Sequence, residues 1–200
     1  MIHRQSSPMW TVMLLFGALL SAGCTSTPDK DLDWFDGGDM KPASAETLQL
    51  TARVLASKGE TARAEFVLDR LQRDYPDFLG TYTEAAEILL SNGRVKNAIS
   101  RLDRGLQQFP GNGVLLNNRG MCHLLDGRLT EATGDFEAAY ACDPADADYV
   151  ANLALVRALA GNESEAALLW GRVVSGSDVD RNLEIARKSR PKFANASAPK

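Results

Sequence analysis

Between Cys122 and Asp143 the chain reads CHLLDGRLTEATGDFEAAYACD, with two cysteines, one histidine and five carboxylates in 22 residues. Such a density of ligating and acid–base groups raises two chemistries, a metal site and a nucleophile–base pair. A zinc site favours CxxC or HxxxH spacing, which places its ligands on one face, and neither spacing is present. Cys122 and His123 are adjacent, so on a helix they point about 100° apart. The stretch also lacks a glycine-rich phosphate loop, a serine elbow and a partner base for a nucleophile. No catalytic residue, metal or cofactor is expected, and the chain reads as a non-enzyme.

The whole chain supports that reading. It has 200 residues, 44% hydrophobic and 24% charged, with a formal net charge of −4. That balance lacks the clustered lysines and arginines that nucleic acid selects, and 7% aromatics offer no platform for stacked bases. Three cysteines, Cys24, Cys122 and Cys142, are too few for a disulfide framework. The histidines are His3 and His123.

Residues 1–23, MIHRQSSPMWTVMLLFGALLSAG, have a short basic head, an apolar run over 9–20 and small residues before Cys24, the layout of a secretory signal peptide. The apolar run spans 12 residues, whereas a membrane-crossing helix needs about 20. LLSAGC resembles the lipobox of bacterial lipoproteins, which implies cleavage before Cys24 and lipid attachment to it. Thr25 after it implies, by the same resemblance, the periplasmic face of the outer membrane. The alternative is an ordinary secretory signal with an incidental cysteine. Residues 24–44 hold two prolines, two glycines and five aspartates without helical periodicity, the composition of a flexible tether. Within it, Trp34 and Phe35 either pack on the first helix or contact a partner.

From residue 45 a period of 34 governs the chain. Glycines recur at Gly59, Gly93, Gly127 and Gly161, alanines at Ala64, Ala98, Ala132 and Ala166, and prolines at Pro76, Pro110 and Pro144. Small residues recur at Ala52, Ala86, Gly120 and Ala154, and large apolar ones at Leu68, Leu102, Phe136 and Trp170. These registers resemble the tetratricopeptide repeat. The resemblance implies an all-α fold, a right-handed superhelix of four helix pairs over 45–78, 79–112, 113–146 and 147–180. A glycine ends each first helix with a left-handed residue, and a proline stops the second. Asp178 stands where the fourth repeat should have proline, so DRNLEIARKSRP predicts a capping helix over 181–190, with a disordered tail over 191–200. From Arg181 onward the charge is +5, which could fold back on the acidic repeats or touch anionic headgroups.

Within this frame the opening stretch belongs to the third repeat. His123 takes a packed structural role, and Asp126, Glu131, Asp135 and Glu137 fall at solvent positions. Cys122 and Cys142 lie too far apart along an antiparallel pair to bond, about 15 Å by helical rise against the 7 Å that a disulfide allows.

The repeat resemblance also implies a concave protein-binding groove lined by the first helices. Its positions map to Gln49, Arg53 and Ala56, then to Thr83, Glu87 and Leu90. They continue at Asn117, Asn118, Met121 and Leu124, and at Ala151, Asn152, Leu155 and Ala158. The last eight form the expected site, an apolar half-groove that receives a helix or an extended segment; packing between repeats is the competing role for these residues. VLLNNRGMCHLLDGRLTEA and YVANLALVRALAGNESEAALL resemble the TadD lipoproteins of the tight-adherence (Flp) pilus system. That resemblance implies a pilotin-like scaffold whose partner is a secretin or another pilus or secretion component, with no nucleic acid and no small-molecule substrate. The alternative is an adaptor that docks peptidoglycan synthases or hydrolases.

Overall fold

The structure, a computed structural model, describes residues 42–196. The signal peptide over 1–23, the lipid-attachment residue Cys24, nearly all of the tether, Trp34 and Phe35, and residues 197–200 lie outside the described residues. Nine α-helices and no strand occur among the described residues. The first pair is α1 (Ala45–Ser57) and α2 (Thr61–Asp74), the second α3 (Gly80–Ser91) and α4 (Val95–Gln108). The third is α5 (Gly113–Leu125) and α6 (Leu129–Cys142), the fourth α7 (Ala147–Leu159) and α8 (Glu163–Trp170), and α9 (Gly176–Ala196) follows.

The 34-residue registers are helix punctuation. At N-termini, Ser44 accepts the backbone N–H of Thr47 at 3.3 Å, Asn112 that of Leu115 at 3.1 Å, and Asp146 those of Asp148 and Tyr149 at 2.9 and 3.1 Å. Each first helix ends at a glycine with positive φ: 76°, 72°, 80° and 98° at Gly59, Gly93, Gly127 and Gly161. The residue after each glycine donates its N–H to a carbonyl five residues back, Glu60 to Leu55, Arg94 to Leu89, Arg128 to His123 and Asn162 to Arg157, at 2.8–2.9 Å. This closure satisfies carbonyls that the helix leaves open and turns the chain back into the second helix. Pro76, Pro110 and Pro144 stand two residues beyond the last residues of α2, α4 and α6.

Helices pack antiparallel within a pair, and α1, α3, α5 and α7 lie side by side along the stack. Ala52, Ala64, Ala98, Ala132, Ala154 and Ala166 are fully buried, as are Leu102 and Phe136. One close crossing is in the third pair. A Cβ on Gly120 would stand 2.9 Å from the Phe136 ring, so the glycine leaves the space that the phenylalanine fills.

The C-terminal end departs from the expected boundaries. Instead of 181–190, α9 covers Gly176–Ala196 and runs through Pro191, so helix replaces the tail expected from 191 onward as far as 196. Val179 and Ala186 are buried, and Leu183, Arg190 and Phe193 half-buried, a stripe at helical spacing laid on α7 and α8. Phe193 packs against the core beyond the proline, and that contact offsets the backbone hydrogen bond that Pro191 cannot donate. Two of the basic residues fold back on the solenoid. Arg187 donates to Glu163 at 2.6–3.0 Å, and Arg190 to Glu163 at 2.9 Å and to the Ala158 carbonyl at 3.0 Å. These hydrogen bonds hold the Glu163 carboxyl down at about 2. Among the described residues, no helix is long and apolar enough to cross a membrane.

Candidate functional site

The expected groove positions divide by burial. Asn117, Asn118, Met121, Ala151, Asn152 and Leu155 are half-buried on the first helices. Leu124 and Ala158 are not groove residues: they are 8% and 0% exposed and belong to the core that joins the third pair, the fourth pair and α9. Ala56 and Leu90 hold the same register in the first two pairs and stay half-buried, so packing against the fourth pair and α9, not register, takes Leu124 and Ala158 inside. Met121, Ala151 and Leu155 pack against the same core from its edge.

The surface that remains open centres on a cleft of about 190 Å³ between α3 and α5, lined by Thr83, Ala86, Glu87, Leu90, Asn118 and Met121. Leu90, Ala86 and Met121 supply apolar wall, Asn118 an amide and Glu87 an exposed carboxylate. A second cleft, of about 200 Å³, lies between α2 and α4 and is lined by Arg94, Arg101 and Arg104 with Glu65 and Asp69. Arg94 is bonded to Glu65, and Arg101 to Asp69 at 2.9 Å and to Gln72. Two of its three cations are therefore spent on structure, and the α3–α5 cleft is the better candidate.

Lateral bonds set the groove floor. Gln49 donates to Glu84 at 3.1 Å, and Arg53 grips the same carboxylate with two guanidinium nitrogens, one at 3.0 Å. Asn152 donates to Asn117 at 2.8 Å. Both links join residues 35 apart, so they are one geometric contact made first with charge and then with amides. Glu84 is nearly fully buried, which the pattern of exposed charge along α3 does not announce.

The residues of the Cys122–Asp143 stretch resolve into packing. Asp126, Glu131 and Glu137 are exposed, but Asp135 is 7% exposed and not a solvent residue. Arg119 explains it. The guanidinium makes a bidentate contact with Asp135 at 2.6 and 2.8 Å and reaches Asp103 on α4 at 2.8 Å, tying the second pair to the third. These hydrogen bonds raise the Arg119 pKa further. Register gives a partial clue: Asp135 takes the place of Val67, Arg101 and Leu169, and Arg119 that of Thr51, Ala85 and Leu153.

His123 is buried, with Nε2 3.7 Å from an Asp135 oxygen. Burial foremost, then the nearby Arg128 charge, lowers its pKa and keeps it neutral. Burial pushes the Cys122 thiol up to about 11, far from a reactive thiolate. Cys142 is exposed, and its thiol donates to the Gly111 and Ala138 carbonyls at 3.2 Å; both cysteines are free. Among the described residues, no group of three or more His, Cys, Asp or Glu is placed to hold a metal ion.

No protein-family model and no curated protein matches the sequence. Solved structures do. The MamA fragment 41–end from Desulfovibrio magneticus RS-1 is similar with a TM-score of 0.55 at 20% identity, over 69% of this chain and 76% of that one. TTC0263 of Thermus thermophilus, a thermophilic TPR protein, is similar with a TM-score of 0.58 at 21% identity, over 76% and 83%. YrrB, described as a TPR protein with an unusual peptide-binding site, is similar with a TM-score of 0.58 at 18% identity, over 76% and 82%. At such identities the likeness establishes architecture alone: the chain folds as a right-handed tetratricopeptide-repeat solenoid of four helix pairs with one helix closing its C-terminal end.

Proposed function

We propose that the chain is a lipid-anchored scaffold of the bacterial outer membrane, facing the periplasm, which holds a segment of another protein in its concave groove and performs no chemistry of its own. The process it serves is assembly of a pilus or secretion apparatus, in the manner of the TadD lipoproteins that its third and fourth repeats resemble. The observation that carries the binding role is the α3–α5 cleft, where Met121, Leu90 and Ala86 offer apolar wall beside Asn118 and Glu87. An amphipathic partner segment buries its apolar side there and satisfies its polar groups on the rim. YrrB, of the same fold, supports the mode by its peptide-binding site. The anchor rests on Cys24 directly after LLSAG.

The test is capture from envelopes solubilised in mild detergent with tagged protein. The expected companion is a secretin subunit or another pilus component. A peptidoglycan synthase or hydrolase in its place would move the protein to cell-wall regulation. Met121→Glu should abolish capture and leave the helical spectrum unchanged, because Met121 is only half-buried; retained capture would remove the groove from the proposal. Cys24→Ser should end palmitate labelling, and label that persists would disprove the anchor.

A further inference from the structure

The first helix of the stack shows an outer stripe that every later pair hides. Thr47, Thr51 and Val54 on α1 correspond, at 34-residue steps, to Thr81, Ala85 and Ile88 on α3, which are 0–4% exposed. The same positions are Leu115, Arg119 and Cys122 in the third pair, where Arg119 is half-buried and the other two buried, and Tyr149, Leu153 and Val156 in the fourth, all buried. In those pairs the stripe faces the preceding one. On α1, by contrast, Val54 is 42% exposed, and beside it Leu50, in register with Glu84, Asn118 and Asn152, is 60% exposed.

We propose that this face is a dimer interface, on which a second copy of the chain lays its own α1 antiparallel, about a two-fold axis level with Ala52. The stripe is self-complementary about that point. Glu46 and Lys58 lie six residues to either side of Ala52, Thr47 and Ser57 five, and Leu50 and Val54 two. All six are exposed. An antiparallel pair sets Leu50 against Val54 of the second copy and Val54 against its Leu50. It sets Glu46 against Lys58 at both ends, about 18 Å apart along the helix. A parallel pair would set Glu46 against Glu46 and Lys58 against Lys58, so charge selects the antiparallel arrangement. A two-fold contact uses the same patch twice and closes on itself. One helix pair buries less than a standard interface, so the dimer is weak and depends on concentration.

Sedimentation equilibrium of the purified chain, from micromolar to millimolar concentration, should show a monomer–dimer equilibrium. Leu50→Asp should abolish the dimer at unchanged helicity. Glu46→Lys or Lys58→Glu alone should weaken it about tenfold, since each reverses two symmetry-related ion pairs. The double variant should return to wild-type affinity, although both changes oppose the dipole of α1 and their helix penalties add. That recovery separates association from folding. A chain that stays monomeric throughout, a dimer indifferent to Leu50→Asp, or a double variant weaker than either single one would each overturn the proposal. So would a monomer in which a cysteine at position 50 resists modification, because the face would then be covered from within the same chain.

Discussion

The two halves of the solenoid share one backbone plan and spend charge differently. Residues 45–112 carry nine basic and nine acidic side chains, whereas residues 113–180 carry four and eleven, a net −7. In the first half, the lateral bond between neighbouring first helices is Gln49 and Arg53 on Glu84. At the same register in the second half it is Asn152 on Asn117. The buried carboxylate of the second half is paired elsewhere: Arg119 binds Asp135 inside the third pair and reaches back to Asp103 of the second. A repeat fold therefore fixes where neighbours touch and leaves open whether charge, amide or hydrocarbon makes the touch. Taking charge off the floor of the second half leaves Met121 and Leu155 as its large apolar side chains beside amides, a surface suited to an amphipathic partner.

The largest expected effect contrasts the two carboxylates. Asp135→Ala leaves the Arg119 guanidinium half-buried with only Asp103 and should cost about 3 kcal/mol in urea unfolding. Glu84→Ala releases Arg53, which is 59% exposed and can turn to water, and should cost about 1 kcal/mol. Equal losses would remove the distinction between the halves.

Next comes the close crossing. Gly120→Ala drives a methyl to within 2.9 Å of the Phe136 ring and should cost about 1–3 kcal/mol by overpacking. Adding Phe136→Leu recreates the Ala86 and Leu102 combination of the second pair and should recover part of that loss, measured by thermal unfolding as a double-mutant cycle. Additive losses would show that the ring is not what excludes the methyl.

The smallest effect is in pH. His123 has a lowered pKa in the folded state, so below the ordinary value of about 6.5 the unfolded chain takes up a proton that the folded chain refuses. Its contribution is complete above that value and is lost as pH falls through it. His123→Leu, which copies Leu89 of the second pair, should flatten the stability profile between pH of about 8 and about 5. An unchanged profile would assign the dependence to the carboxylates.

Helix punctuation is legible in spacing because its causes are local. Gly127 must be left-handed where it stands, Pro144 cannot donate wherever it stands, and both lie in phase with their equivalents. Groove membership is less legible. Met121 and Leu124 are three residues apart on one helix face, yet one edges the cleft and the other is core. What separates them is the neighbouring pair and α9, not their own types. The same holds for Pro191, a stop signal by local rule that Phe193 carries the helix past.

By itself the sequence determined the 34-residue period, the all-helical class, the turns and the small–large crossings, because each follows from backbone freedom or side-chain volume at one residue. Tertiary structure alone decided that Glu84 and Asp135 go inside, that Leu124 and Ala158 leave the groove, and that α9 runs to Ala196. Those outcomes balance desolvation against a partner more than a dozen residues away, and no local signal carries that balance.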